Sequence, residues 1–212
     1  MYIASANPPD LSKFPGFVCF KSSEPIHYPR RWQRDALIQA ALDPTVTAVG
    51  PLDPTIWMMP DIEFAFRVTI ATATFSLVIT ELNGRLPVDR FGHAVLKVRR
   101  SQLTTEPLHS TARAIWAHKR TVVDPLVKYL AVEAAGSKVE GIAMQSLLQA
   151  FQSHRAVDPF EPLLAMLAQG VLVGDLSSGF HGHTMFRPGP SYEPRRESIP
   201  SVRLTNILTE KP

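Results

Sequence analysis

The sequence predicts an α+β chain built from two unlike halves, and three observations lead there. A helical run opens the first half and is followed by segments that alternate like strands. Three helical runs ending in a hairpin pattern make up most of the second half. Between them, near Leu103, apolar spacing changes from a period of two to the helical period. The chain has 212 residues, 45% hydrophobic and 19% charged, which supports a sizeable core and excludes wholesale disorder.

Residues 1–27 are rich in proline and serine without a sustained period, and read as an extended arm. Residues 30–42, RRWQRDALIQAAL, bring Trp32, Ala36, Leu37, Ala40 and Ala41 near one helical face. Asp43-Pro44 ends that helix, because a residue before proline avoids helical dihedrals. Residues 54–59 are a short apolar run, and Pro60-Asp61 is a turn signal. Residues 62–70 alternate, with Ile62, Phe64, Phe66, Val68 and Ile70 on one face and Glu63, Arg67 and Thr69 on the other. After a short connection, residues 75–82 form the next strand, closed by the turn dipeptide Asn83-Gly84. Residues 89–100 read as a short second helix, so the module over residues 28–100 is a helix with an antiparallel meander.

Helical spacing then runs through residues 111–135, with a break and a fresh start at Asp124-Pro125 and an end at Gly136-Ser137. A second helix is expected over residues 139–152 and a third over residues 158–169. In the third, Asp158-Pro159 supplies a cap followed by proline, and Gly170 marks the stop. VLVGDL, a Ser-Ser-Gly turn and HTMFRP form a closing hairpin. Three helices and a terminal hairpin are the element order of a winged-helix module. From Pro188 the chain has several prolines and charges and no apolar period, and is expected to stay extended until a partner orders it. The expected divisions are an arm at residues 1–27, an α+β domain at 28–110, a winged-helix domain at 111–187 and a tail at 188–212.

Several function classes are disfavoured. Cys19 is the only cysteine, so one chain can form neither an internal disulfide nor a thiolate zinc cluster. It lies beside Phe17 and Phe20 and reads as a small buried apolar side chain. No apolar run approaches the roughly 18–20 residues of a membrane span, and the N-terminus lacks the apolar core of a secretory signal. A cytoplasmic location without membrane partners is therefore expected. No glycine-rich phosphate loop, nucleophile elbow or zinc-protease helix is present. His181-Gly182-His183 puts two imidazoles on one strand face, but without a third ligand nearby it reads as an exposed hairpin tip. Trp32 and Trp116 read as core anchors.

The formal charge is only +3, so its distribution matters more than its sum. Basic residues gather at Arg30, Arg31 and Arg34, at Lys97, Arg99 and Arg100, at Arg113, Lys119 and Arg120, and at Arg195 and Arg196.

The segment FKSSEPIHYPRRWQRDALIQAALDPTV resembles the opening of the TnsA-type endonuclease subunit of heteromeric transposases. His27-Tyr28, Arg34-Asp35 and Asp43-Pro44 with Val46 keep that family's frame, and LLAMLAQGVLVGDLSSGFHGHTMF resembles its winged-helix ending. The likeness covers residues 17–187 and is strongest at the two ends. It implies a restriction-endonuclease-like N-terminal domain. In that fold a helix glutamate, a strand aspartate and a triplet with lysine hold Mg²⁺ at the scissile phosphate, where the metal activates water. This chain departs from the pattern. Pro29 and Gln33 stand at the helix glutamate positions, and the triplet reads Glu81-Leu82-Asn83, with asparagine in the lysine's place. Asp61 and Glu81 remain as one weak metal and catalytic pair, with Lys97 as a migrated lysine.

The resulting expectation is a DNA-associated accessory protein without a resident cofactor. It is a catalytically degenerate relative that binds double-stranded DNA, a transposase or a transposition regulator. Arg30, Arg31 and Arg34 on the first helix, Lys138, and Gln145 and Gln149 on the expected recognition helix are its DNA-binding candidates. Arg30 and Arg31 would grip phosphate where a relative holds metal. Two alternatives belong to other classes: a Mg²⁺-dependent nuclease with rearranged ligands, and a protein–protein adaptor.

Overall fold

A computed structural model describes residues 10, 13–53, 56, 62–81, 93–153 and 158–192. The chain is α+β, with a mixed sheet in its first half and helices around a small sheet in its second.

The entry segment forms a two-stranded ribbon, β1 (Gly16–Phe17) against β2 (Ile26–His27). Helix α1 (Arg31–Leu42) follows, then strands β3 (Val46–Gly50), β4 (Phe64–Ile70), β5 (Ala73–Ile79) and β6 (Ala94–Val98). The sheet order is β3-β4-β5-β6, with β3, β4 and β5 antiparallel and β6 parallel to β5. Phe64, Phe66 and Val68 are buried in the same core as Ala36, Leu37 and Ala40 of α1, as their alternation predicts. The opposite face is covered as well: Ala65 and Val78 are buried with Ile56 and Ile62 in a smaller cluster. Ala71 turns the β4–β5 corner at a positive φ of 53°.

Next come α2 (Arg100–Leu103), α3 (Leu108–Ala117), α4 (Pro125–Gly136), β7 (Ile142–Ala143), α5 (Met144–Ser153), α6 (Phe160–Ala168), β8 (Leu172–Gly174) and β9 (Met185–Pro188). The last three strands form a second sheet in the order β7-β9-β8, both pairings antiparallel. One continuous core runs from Phe17 and α1 through Ile115 and Trp116 of α3 to Leu147, Leu163 and Phe186.

Five expectations need correction. The helix expected over residues 89–100 is strand β6 across residues 94–98; Leu96 and Val98 align with Leu77 and Ile79 and continue the sheet's apolar face, and α2 begins only at Arg100. The first strand of the meander is β3, directly after α1, whereas Ile56, the one described residue of the expected strand at 54–59, lies in a helical turn. Strand β5 ends at Ile79, short of the expected residue 82, and Asn83-Gly84 lies outside the described residues. The helix expected from residue 139 starts at Met144, because Gly141 adopts a positive φ of 92° and β7 pairs with β9 first. The expected arm is not peripheral: Phe17, Lys21 and Ile26 are buried.

Candidate nucleic-acid interface

The first gathering of polar groups lies where α1 begins. Arg30 precedes the helix, and its backbone N–H donates to Oε1 of Gln33 at 2.9 Å. Gln33 is only 2% exposed, and its Nε2 donates to the carbonyl of Glu63 at 3.0 Å. Both ends of the buried amide are thereby satisfied, so Gln33 ties α1 to the start of β4. The Glu63 carboxylate faces Arg100 at 3.8 Å. The Arg100 guanidinium lies over the Trp32 ring, 5.0 Å from its centroid, and Trp32 meets Phe64 edge-on at 6.3 Å.

Sheet register brings a second carboxylate to this end. Glu63 N–H donates to Ile79 and Thr80 N–H to Val98, so β4 begins where β5 and β6 finish. Glu81 follows directly, and its Oε1 accepts from Ser101 N–H at 3.3 Å at the start of α2. Gln33, Glu63, Glu81 and Arg100 therefore share one end of the sheet. Asp61 lies outside the described residues. Lys97 is exposed on β6, opposite Val78 of β5. Among the described residues, no group of three or more histidine, cysteine, aspartate or glutamate side chains is placed to hold a metal ion.

The arginines of α1 divide by environment. Arg30 and Arg31 are exposed and Arg34 is half-buried. Lys119, just past α3, lies over the Trp116 ring at 5.0 Å, and Trp116 in turn stacks on Phe17 at 4.9 Å. Partial burial lowers the Lys119 pKa, and the positive charges of Arg34 and Arg120 lower it further. Asp35, next to Arg34, turns to His109 at 3.5 Å, and the other ring nitrogen of His109 faces Glu106 at 3.4 Å.

The remaining candidates gather elsewhere. Gln145 and Gln149 are exposed one turn apart on α5, and Gln145 N–H donates to Gly182 at 3.1 Å, docking the hairpin loop on that helix. Lys138 lies in the turn before β7 and lines a recess of about 300 Å³ with Ser146 and Met185. His181 and His183 are exposed in the loop before β9, not on a strand face, and a His181 ring nitrogen meets the Ser178 carbonyl. Helix α6 buries Leu163, Ala165, Met166, Leu167 and Ala168 and carries no basic residue.

Sequence reasoning did not find Glu63 or Arg100 as partners, nor the pairing of Asp35 with His109. The basic clusters were visible as local runs, but pairs formed across elements have no local signal. Comparisons with protein-family models, with curated proteins and with solved structures found no match.

Proposed function

We propose that this chain is a DNA-associated accessory protein, a TnsA-like subunit that has kept a phosphate-binding surface and lost the cutting chemistry. One observation carries the reading: a cation holds the carboxylate end of the sheet. Arg100 faces Glu63, and Gln33, at a helix position where the resemblance expects glutamate, is committed to the Glu63 carbonyl. Arg30 and Arg31 stand exposed at the same end, where a planar guanidinium suits phosphate oxygens.

Topology fits the two element patterns of this reading, which here share one continuous core. A helix, three antiparallel strands and a fourth strand parallel to the third fit a restriction-endonuclease-like core. The order α4-β7-α5-α6-β8-β9, with sheet order β7-β9-β8, fits a winged helix. In such a module the third helix commonly enters the major groove. Here that helix is α6, which is largely buried, so contact through this half falls to α5, with Gln145 and Gln149, and to Lys138.

The test is a fluorescence titration of duplex DNA at several salt concentrations. Replacing Arg30 and Arg31 with alanine should reduce the slope of log affinity against log salt by roughly two units, with little sequence dependence. An unchanged slope would show both arginines to be ordinary surface charges. A plasmid assay with Mg²⁺ or Mn²⁺ should give no nicking; nicking abolished by Asp61→Ala or Glu81→Ala would establish the nuclease alternative. A protein partner is the second reading, favoured by Val122 at 92% exposure beside exposed Leu126 and Tyr129 on α4.

A further inference from the structure

We infer that a recess of about 360 Å³ between α1, α3 and the β8–β9 loop binds a small organic cation, a primary amine carried on an apolar body. The inference goes beyond the DNA-binding reading and does not rest on it. The apolar lining comes from three elements: Leu42 of α1, Leu108 and Ala112 of α3, and Leu176 after β8. Leu42, Ala112 and Leu176 are buried, so the recess presents a hydrocarbon group with an apolar wall built by both halves of the chain. Its volume lies within the range of small-ligand pockets.

The charged groups that border the recess are both carboxylates, Asp43 and Asp175. Asp43 Oδ1 accepts from the Thr45 N–H at 2.8 Å and from its hydroxyl at 2.7 Å, and Asp175 Oδ1 accepts from the Ser177 N–H at 2.9 Å. These turns fix the two side chains and occupy the nearby N–H donors. The Ser177 N–H, and after it the Ser177 hydroxyl, hold the Asp175 carboxyl below its ordinary range, so it is ionised at neutral pH. Among the described residues neither carboxylate forms a salt bridge. Buried Lys21 is drawn to Asp43, but its ammonium donates to the Asp43 carbonyl at 2.6 Å and does not line the recess. Among the described residues that do line it there is no lysine, arginine or histidine. A cleft with one sign of charge above low-dielectric walls concentrates its field and favours a ligand of the opposite sign. An anion would meet two carboxylates and no cation, and a neutral apolar molecule would leave both without a counter-charge. An ammonium on an apolar body suits both features.

The experiment titrates the full chain with phenylbutylamine, neutral phenylbutanol and anionic phenylbutyrate, which share one apolar body. Binding is read from the methyl NMR signals of Leu42, Ala112 and Leu176. The amine should bind at least about tenfold more tightly than the alcohol, the gain a charged hydrogen bond supplies, and the carboxylate should not bind. The Asp43→Asn/Asp175→Asn variant keeps an acceptor oxygen at each turn. It should lower the amine to the alcohol's affinity and leave the alcohol's own shifts unchanged, which also shows that the recess is intact. Rising salt should weaken amine binding to wild type and spare the alcohol, a readout independent of variant folding. Equal affinity of wild type for amine and alcohol, amine binding indifferent to salt, or amine affinity retained by the variant would overturn the site. So would amine binding that leaves the three methyl signals unmoved, or no amine binding at all.

Discussion

Lys21 is the residue with the clearest electrostatic penalty. It is 7% exposed, and its Nζ donates to the Asp43 carbonyl at 2.6 Å. Burial lowers its pKa from 10.5 to about 8, against the opposing pull of Asp43 and Cys19. The folded state therefore releases this proton before the unfolded state does, and stability attributable to Lys21 rises as pH climbs from about 8 to about 10.5. Urea denaturation of wild type and Lys21→Met at both ends of that window should show wild type gaining up to about 3 kcal/mol relative to the variant. A constant difference would mean that the ammonium is adequately solvated. Gln33 illustrates the complementary case. Its buried amide oxygen and nitrogen each have a hydrogen-bond partner, so a polar residue on the inner face of α1 is accommodated without an unpaired atom.

Among the elements, α4 shows how local sequence sets a boundary. Asp124 Oδ1 accepts from Leu126 N–H at 2.7 Å and Val127 N–H at 3.4 Å, and Pro125 occupies the first turn, where its missing N–H costs nothing. Asp124→Ala should cost about 1 kcal/mol, measured by chemical denaturation. No loss would mean that packing of Ala131, Val132 and Ala135 alone holds the start of the helix. Strand β6 is the opposite case. AVLKV is short, and as a strand it earns its place only by lying beside β5, where Leu96 and Val98 extend the apolar face of Leu77 and Ile79. The break before α5 likewise depends on pairing, since β7 exists only against Met185 and Phe186 of β9.

Across the whole molecule, the entry segment is the tie between the halves. Phe17 stacks on Trp116 of α3, Ser22 bridges to Val49 of β3, and Phe20 lies against Gly170 at the end of α6. Gly170 has a positive φ of 69°, and an added Cβ would collide with the Phe20 ring. Gly170→Ala should therefore lose at least about 1–2 kcal/mol from backbone strain alone, and Phe20→Ala in the same background should recover part of the remainder. A melting temperature unchanged by Gly170→Ala would show that neither the turn nor the contact constrains the fold. No helix among the described residues is long and apolar enough to cross a membrane.

The sequence by itself determined α1, the alternating β4, the Asp124-Pro125 start, the helix stop at Gly170 and the α+β class, because each rests on a local period, cap or turn residue. Only the tertiary structure decided that β6 runs parallel to β5, that β7 interrupts the run before α5, and that the entry segment buries Phe17, Lys21 and Ile26. It alone set Arg100 against Glu63 and Asp35 against His109. Strand pairing, burial and charge clustering join residues tens of positions apart, and such encounters leave no period in the sequence for local reading to detect.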